Sequence, residues 1–144
     1  MDKINLHCAD KSRDGYSNID ARSSGSTEDY KLMKYKDSSC EEIIAHAGCL
    51  ESVSRSDVVE VIKCWHRKLS SGGVLKLSFL DLKKLSNAYC YDRLQINDVE
   101  DAVVGMKSFH DMFELRSALI ALGFKVKFCD YSIEDYIGSI HAEK

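Results

Sequence analysis

Apolar and polar residues alternate along Lys3-Ile4-Asn5-Leu6-His7-Cys8, which predicts a first strand. A polar turn through residues 9–15, ending at Gly15, leads to a second short strand over residues 16–21. A Ser/Gly-rich loop follows at residues 22–27, then a weak segment carrying Leu32, Met33 and Tyr35. Glu42-Ile43-Ile44-Ala45-His46-Ala47 reads as a short buried strand. The clearest helix comes next, with Ser54 as its N-cap and Asp57 three residues on. Val58, Ile62, Trp65 and Leu69 share one face of it, and Gly72-Gly73 is expected to stop it.

Residues 74–79 then alternate, with Leu75, Leu77 and Phe79 on one side of a strand. Three further helices are predicted from capping residues. Asp81 precedes Leu82, Leu85 and Tyr89; Asn97 pairs with Glu100 ahead of Val103 and Met106; Asp111 pairs with Glu114 ahead of Met112, Leu115, Leu119 and Leu122. Gly123 ends the last of them. Phe124, Val126 and Phe128 alternate with Lys125 and Lys127, and a final extended stretch covers about residues 135–141. Strands alternating with amphipathic helices imply a largely parallel sheet covered on both faces. The last two strands are joined too closely for a helical crossover, so they are expected to be antiparallel neighbours.

Composition narrows the class. The 144 residues are 44% hydrophobic and 30% charged, as in a folded globular chain, and one domain spanning residues 1–144 is expected. A net charge of −3 gives no general attraction to nucleic acid or to an anionic membrane. No apolar run approaches the roughly 20 residues of a membrane span, and the N-terminus has no signal-peptide core. The expected location is therefore cytoplasmic. Six cysteines at 8, 40, 49, 64, 90 and 129 have no zinc-ligand spacing and read mostly as small buried apolar residues.

Several segments together resemble the small class I S-adenosylmethionine-dependent methyltransferases. Ile4-Asn5-Leu6-His7-Cys8-Ala9, then Gly15 and Asn18-Ile19-Asp20, are similar to the family's first strand, cofactor loop and second strand. Residues 42–46 look like its fourth strand. Trp65-His66-Arg67-Lys68-Leu69 with Gly72-Gly73-Val74-Leu75 is similar to its helix and fifth strand, and Leu119 to Phe124 to its last helix and sixth strand. The resemblance implies a three-layer Rossmann-like α/β fold: a mostly parallel sheet, seven-stranded in the family, with an antiparallel final strand. The chain departs from the pattern in two ways. Histidine and alanine, His7 and Ala9, stand where the family has loop glycines, and the domain reads as truncated at the N-terminus, without the usual leading helix.

The resemblance also implies a set of site residues. S-adenosylmethionine is the expected cofactor, with His7, Cys8, Ala9 and Gly15 along its loop, Asp20 accepting hydrogen bonds from the ribose hydroxyls, and Asp29 near the adenine. Glycine permits close backbone approach at such a loop because it lacks Cβ. Asp20 is otherwise a solvated strand-end carboxylate, and Cys8 a packed strand-end residue with no base or cation placed beside it. His46, at the end of its strand, is the candidate general base, because imidazole titrates near neutrality. His66 and His110 read as residues at helix surfaces or ends, without a chemical role. The function expected is methyl transfer to a small-molecule or sugar-derived acceptor. The alternative is a catalytically inactive methyltransferase-like module that binds a protein partner.

Overall fold

The computed structural model describes residues 1–8, 10–20, 27–133 and 135–144. Its strands are β1 (Asp2–His7), β2 (Ser17–Asp20), β3 (Cys40–Ala45), β4 (Leu69–Leu80), β5 (Lys125–Tyr131) and β6 (Ile137–Glu143). Its helices are the single turn α1 (Thr27–Tyr30), α2 (Val58–Lys68), α3 (Leu82–Cys90), α4 (Ile96–Val103) and α5 (Met112–Ala121), with a 3-10 turn at Leu50–Ser52. The strands form one sheet in the order β2-β1-β3-β4-β6-β5. β1 to β4 are mutually parallel, and β6 runs antiparallel to both β4 and β5. The expected mostly parallel sheet with an antiparallel final strand is the one formed. It contains six strands among the described residues rather than seven, because the connection from β2 to β3 has room for α1 and turns but not for a strand-helix-strand unit.

One face of the sheet carries the core. Ile4, Leu6, Ile43, Leu75, Leu77 and Phe79 join Ile62 and Trp65 of α2 and Leu115 and Leu119 of α5 in a single buried cluster that also takes in Phe124. Trp65 is fully buried, and its indole Nε1 donates to the Tyr30 carbonyl at 2.7 Å. The expected helix face is therefore the observed one.

The other face differs from the expectation of full cover. Alternation and register put Asn5, Asn18, Glu42, Lys76, Ser78, Ser139 and His141 on it. Glu42 is held there by Lys76 and by the Tyr16 hydroxyl, Ser78 and Ser139 meet at 3.4 Å, and the His141 ring lies 4.1 Å from that of Phe128. Most of these side chains are part-exposed. The physical reason is the link from β1 to β2. A parallel crossover usually takes a dozen or more residues and a helix, but here residues 8–16 suffice, and no helix lies among those described.

Helix ends separate local from non-local signals. Asp81 and Asp111 cap as expected, their carboxylates accepting from the Lys84 and Glu114 N–H groups at 3.0 and 2.9 Å. The Asn97–Glu100 pair is not the cap of α4: Gln95 is, with Asp98 accepting from its backbone N–H at 2.9 Å. Ser54 likewise stands outside α2, whose N-cap is Asp57; the Ser54 hydroxyl donates to that carboxylate at 2.7 Å. α2 stops at Lys68, four residues before the glycine pair, and Leu69 begins β4. Gly73 instead serves a close approach: a Cβ there would lie 2.9 Å from the Ser70 carbonyl oxygen and 3.1 Å from that of Cys40.

Candidate functional site

Four parallel strands end at one edge of the sheet, where an α/β fold gathers its ligand-binding residues. The register pairs His7 with Asp20 and Leu6 with Ala45, so Asp20, His7 and His46 stand side by side at the ends of β2, β1 and β3. Cys8 continues β1 into the same edge. The sequence-expected residues Asp20, His7, Cys8 and His46 are thus brought together.

Gly15 is not. Ser17 pairs with Ile4, which puts the turn holding Gly15 at the opposite edge, beyond about 10 Å of strand from Asp20. Its φ of +79° marks it as the turn residue that opens β2. Asp29 lies part-exposed in α1, and its main-chain carbonyl accepts from the Leu32 N–H at 3.1 Å. Ala9 lies outside the described residues. The close approach that glycine allows at the candidate edge occurs instead at Gly48, with φ +95°, where a Cβ would come 3.3 Å from that of Cys8.

His46 is organised by a residue that the sequence pattern did not single out. Asn5 is fully buried, and its amide nitrogen donates to the Lys11 carbonyl and to the Asn18 side-chain oxygen, both at 2.7 Å. With that nitrogen committed, the Asn5 oxygen faces His46 Nε2 at 2.9 Å, so Nε2 carries the proton. The basic nitrogen of neutral His46 is then Nδ1. Burial, together with Lys11, Arg13 and His7, holds the His46 pKa below its ordinary value, so the ring is neutral at pH 7. Asn5 occupies a polar position of the alternating strand, on the face opposite the core, and nothing local marks it as buried.

Two acidic and nucleophilic groups below the edge were also missed. Glu51 is almost completely buried, and its carboxylate accepts from the Leu80 and Gly48 N–H groups at 2.6 and 2.8 Å, tying the β3 loop to the end of β4. Cys49 is buried with its Sγ 3.4 Å from that of Cys8. His110, expected at a helix surface or end, directly precedes the Asp111 cap of α5 and is buried, with Nε2 2.8 Å from the Ser108 hydroxyl and Nδ1 without a hydrogen-bond partner. Two cysteines, Cys90 and Cys129, are exposed rather than buried.

The histidines set a pH dependence. His46, His66, His110 and His141 all have lowered pKa values, with burial the largest cause in each. Below 6.5 the unfolded chain binds more protons than the folded one, so stability is present above that value and is lost as pH falls through the folded pKa values. The expected result is a lower urea midpoint at about pH 5.5 than at about pH 7.5, with a smaller pH difference in His110→Gln. An unchanged difference in that variant would show that His110 does not contribute.

No family model and no curated protein matches the sequence. Solved structures do match the fold. A SAM-dependent methyltransferase of Archaeoglobus fulgidus superposes with a TM-score of 0.62 at 12% identity, over 98% of this chain and 85% of that one. One from Mesorhizobium loti gives 0.62 at 13% identity, over 99% and 80%. The chain has the class I S-adenosylmethionine-dependent methyltransferase fold. A SAM-dependent methyltransferase of Thermotoga maritima gives 0.62 at 18% identity over 90% of this chain, which spans 65% of that protein's length. The methyltransferase fold accounts for the sheet order and for the antiparallel strand between β4 and β5. None of the described helices is long and apolar enough to cross a membrane.

Proposed function

We propose that the chain is an S-adenosylmethionine-dependent methyltransferase acting on a small-molecule or sugar-derived acceptor. The observation that carries this reading is the register of Asp20 beside His7 and next to His46 at one end of the parallel strands. The acceptor class rests on the sequence resemblance. Asp20 accepts hydrogen bonds from the ribose hydroxyls, a role that fits a part-exposed carboxylate at the end of the second strand. The methionine end fits less well, since a histidine that is nearly buried stands where a glycine would admit close approach. Weak cofactor affinity is the expected consequence.

When bound, the cofactor supplies a methyl group on a sulfonium, open to direct displacement. The chain's own part is positioning and proton removal. His46 takes the acceptor's proton at Nδ1, while Asn5 fixes the ring orientation through Nε2.

Calorimetric titration with S-adenosylmethionine and with its demethylated product tests the reading. Both nucleosides are expected to bind, and Asp20→Ala to weaken them by about 10- to 150-fold, the scale of hydrogen bonds to a charged group. Failure of the native chain to bind either nucleoside overturns the proposal and leaves the inactive, partner-binding reading. Unchanged affinity in Asp20→Ala removes that carboxylate from the site.

A further inference from the structure

Cys8 and Cys49 lie 41 residues apart in sequence, yet their sulfur atoms are 3.4 Å from each other and share a hydrogen bond. A disulfide requires about 2.05 Å, so the pair is roughly 1.4 Å short of bonding distance. Main-chain bonds hold the two backbones at this separation. The His46 N–H donates to the Leu6 carbonyl at 3.0 Å, and the Cys49 N–H to the His46 carbonyl at 3.1 Å. Gly48, without a Cβ, lets the β3 loop close onto the Cys8 side chain. The other cysteines differ: Cys40 Sγ contacts the Ser39 hydroxyl, Cys64 Sγ contacts Glu60 and Arg67, and Cys90 and Cys129 are exposed.

We propose that Cys8 and Cys49 are a peroxide-oxidisable dithiol that closes to an intramolecular disulfide at the C-terminal edge of the sheet. The two sulfurs are unlike in the way such chemistry needs. Cys8 is part-exposed, and the hydrogen bond it shares with Cys49 holds its pKa below the ordinary thiol value, with a smaller contribution from the Ser52 hydroxyl against the opposing effect of burial. Cys49 is buried, and its proton is held more tightly than in a free thiol because it bridges to Cys8. Cys8 is the attacking sulfur and Cys49 the resolving one.

The reaction proceeds in two displacements. The Cys8 thiolate, its proton released to solvent, attacks one oxygen of a hydroperoxide. The O–O bond breaks, the departing alkoxide takes a proton, and Cys8 becomes a sulfenic acid. Cys49 sulfur then attacks Cys8 sulfur, the S–O bond breaks, and the hydroxyl leaves as water with the Cys49 proton. Two thiols and one hydroperoxide give one disulfide, one alcohol and one water. The peroxide gains the two electrons that the sulfurs lose. No step depends on the proposed methyl transfer.

The test treats the reduced native protein with a few equivalents of hydrogen peroxide, followed by intact mass and thiol titration in denaturant. The expected result is a loss of about 2 Da and a fall in free thiols from six to about four. Non-reducing peptide mapping should join the segment holding Cys8 to the one holding Cys49. Cys40 lies in the same tryptic peptide as Cys49, so Cys49→Ser is needed to assign the link, and it should abolish the 2 Da loss while leaving a trappable sulfenic acid at Cys8. Gains of about 16 Da per oxygen at Cys8 in the native chain, without the 2 Da loss, would overturn the proposal. So would a link that persists in Cys49→Ser.

Discussion

Trp65→Ala is expected to cost about 3–5 kcal/mol of folding stability, the range for emptying a buried aromatic site. The indole is fully buried between the sheet and the α1 segment, in the cluster that joins α2 to β1, β3 and β4. Truncation removes its packing and also leaves the Tyr30 carbonyl without its 2.7 Å donor. Urea denaturation of the variant, read by circular dichroism because the single tryptophan is gone, measures the effect. A loss below about 1 kcal/mol would mean that the site collapses around the gap and that α2 is not anchored through this residue.

Glu51→Ala is expected to cost about 2–6 kcal/mol, since two main-chain donors lose their acceptor in a buried place, each at about 1–3 kcal/mol. The Leu80 N–H at the end of β4 and the Gly48 N–H in the β3 loop both depend on this carboxylate. Its own carbonyl meanwhile accepts from the Lys107 and Ser108 N–H groups at 2.8 and 3.2 Å. Those last two bonds survive any side-chain change. Burial is the largest influence on the Glu51 pKa and raises it, while the main-chain donors oppose that rise. Glu51→Gln keeps one acceptor oxygen and sets an amide donor against the second N–H, so it should lose less than the alanine variant. Equal losses in the two variants would show that the pair of main-chain bonds is not what Glu51 contributes.

What could be read along the chain was what is decided within a few residues. Asp81 and Asp111 cap helices by reaching three residues ahead, and the period of α2 found Ile62 and Trp65. The same locality misled at Gly72-Gly73, where a glycine pair after a helical run resembled a stop signal. There the deciding contacts are with Ser70 and, across the sheet, Cys40. Leu69 kept the helical period only because the first residue of β4 points into the same core.

Recognising the edge as a site required strand register. Asp20 and His46 could be placed at strand ends because resemblance and the strand pattern mark them, whereas the far position of Gly15 could not, since nothing local tells which end of a short crossover a glycine occupies. Asn5, Cys49 and Glu51 were missed for a common reason. Their partners His46, Cys8 and Leu80 lie 41, 41 and 29 residues away, and only the folded sheet brings them into reach.

The insertion of β6 between β4 and β5 has a consequence for biosynthesis. β6 is translated after both of its neighbours, so the nascent chain carries two open sheet edges until the residues of Ile137–Glu143 leave the ribosome. Until then β4 can bond on one side only, to β3, and β5 lacks its one strand partner, β6. Long-range pairing of this kind is slow, and unpaired edges are where growing chains associate wrongly. A chain stalled before Ile137 therefore has only the four strands β2-β1-β3-β4 able to pair, with the β4 edge left open.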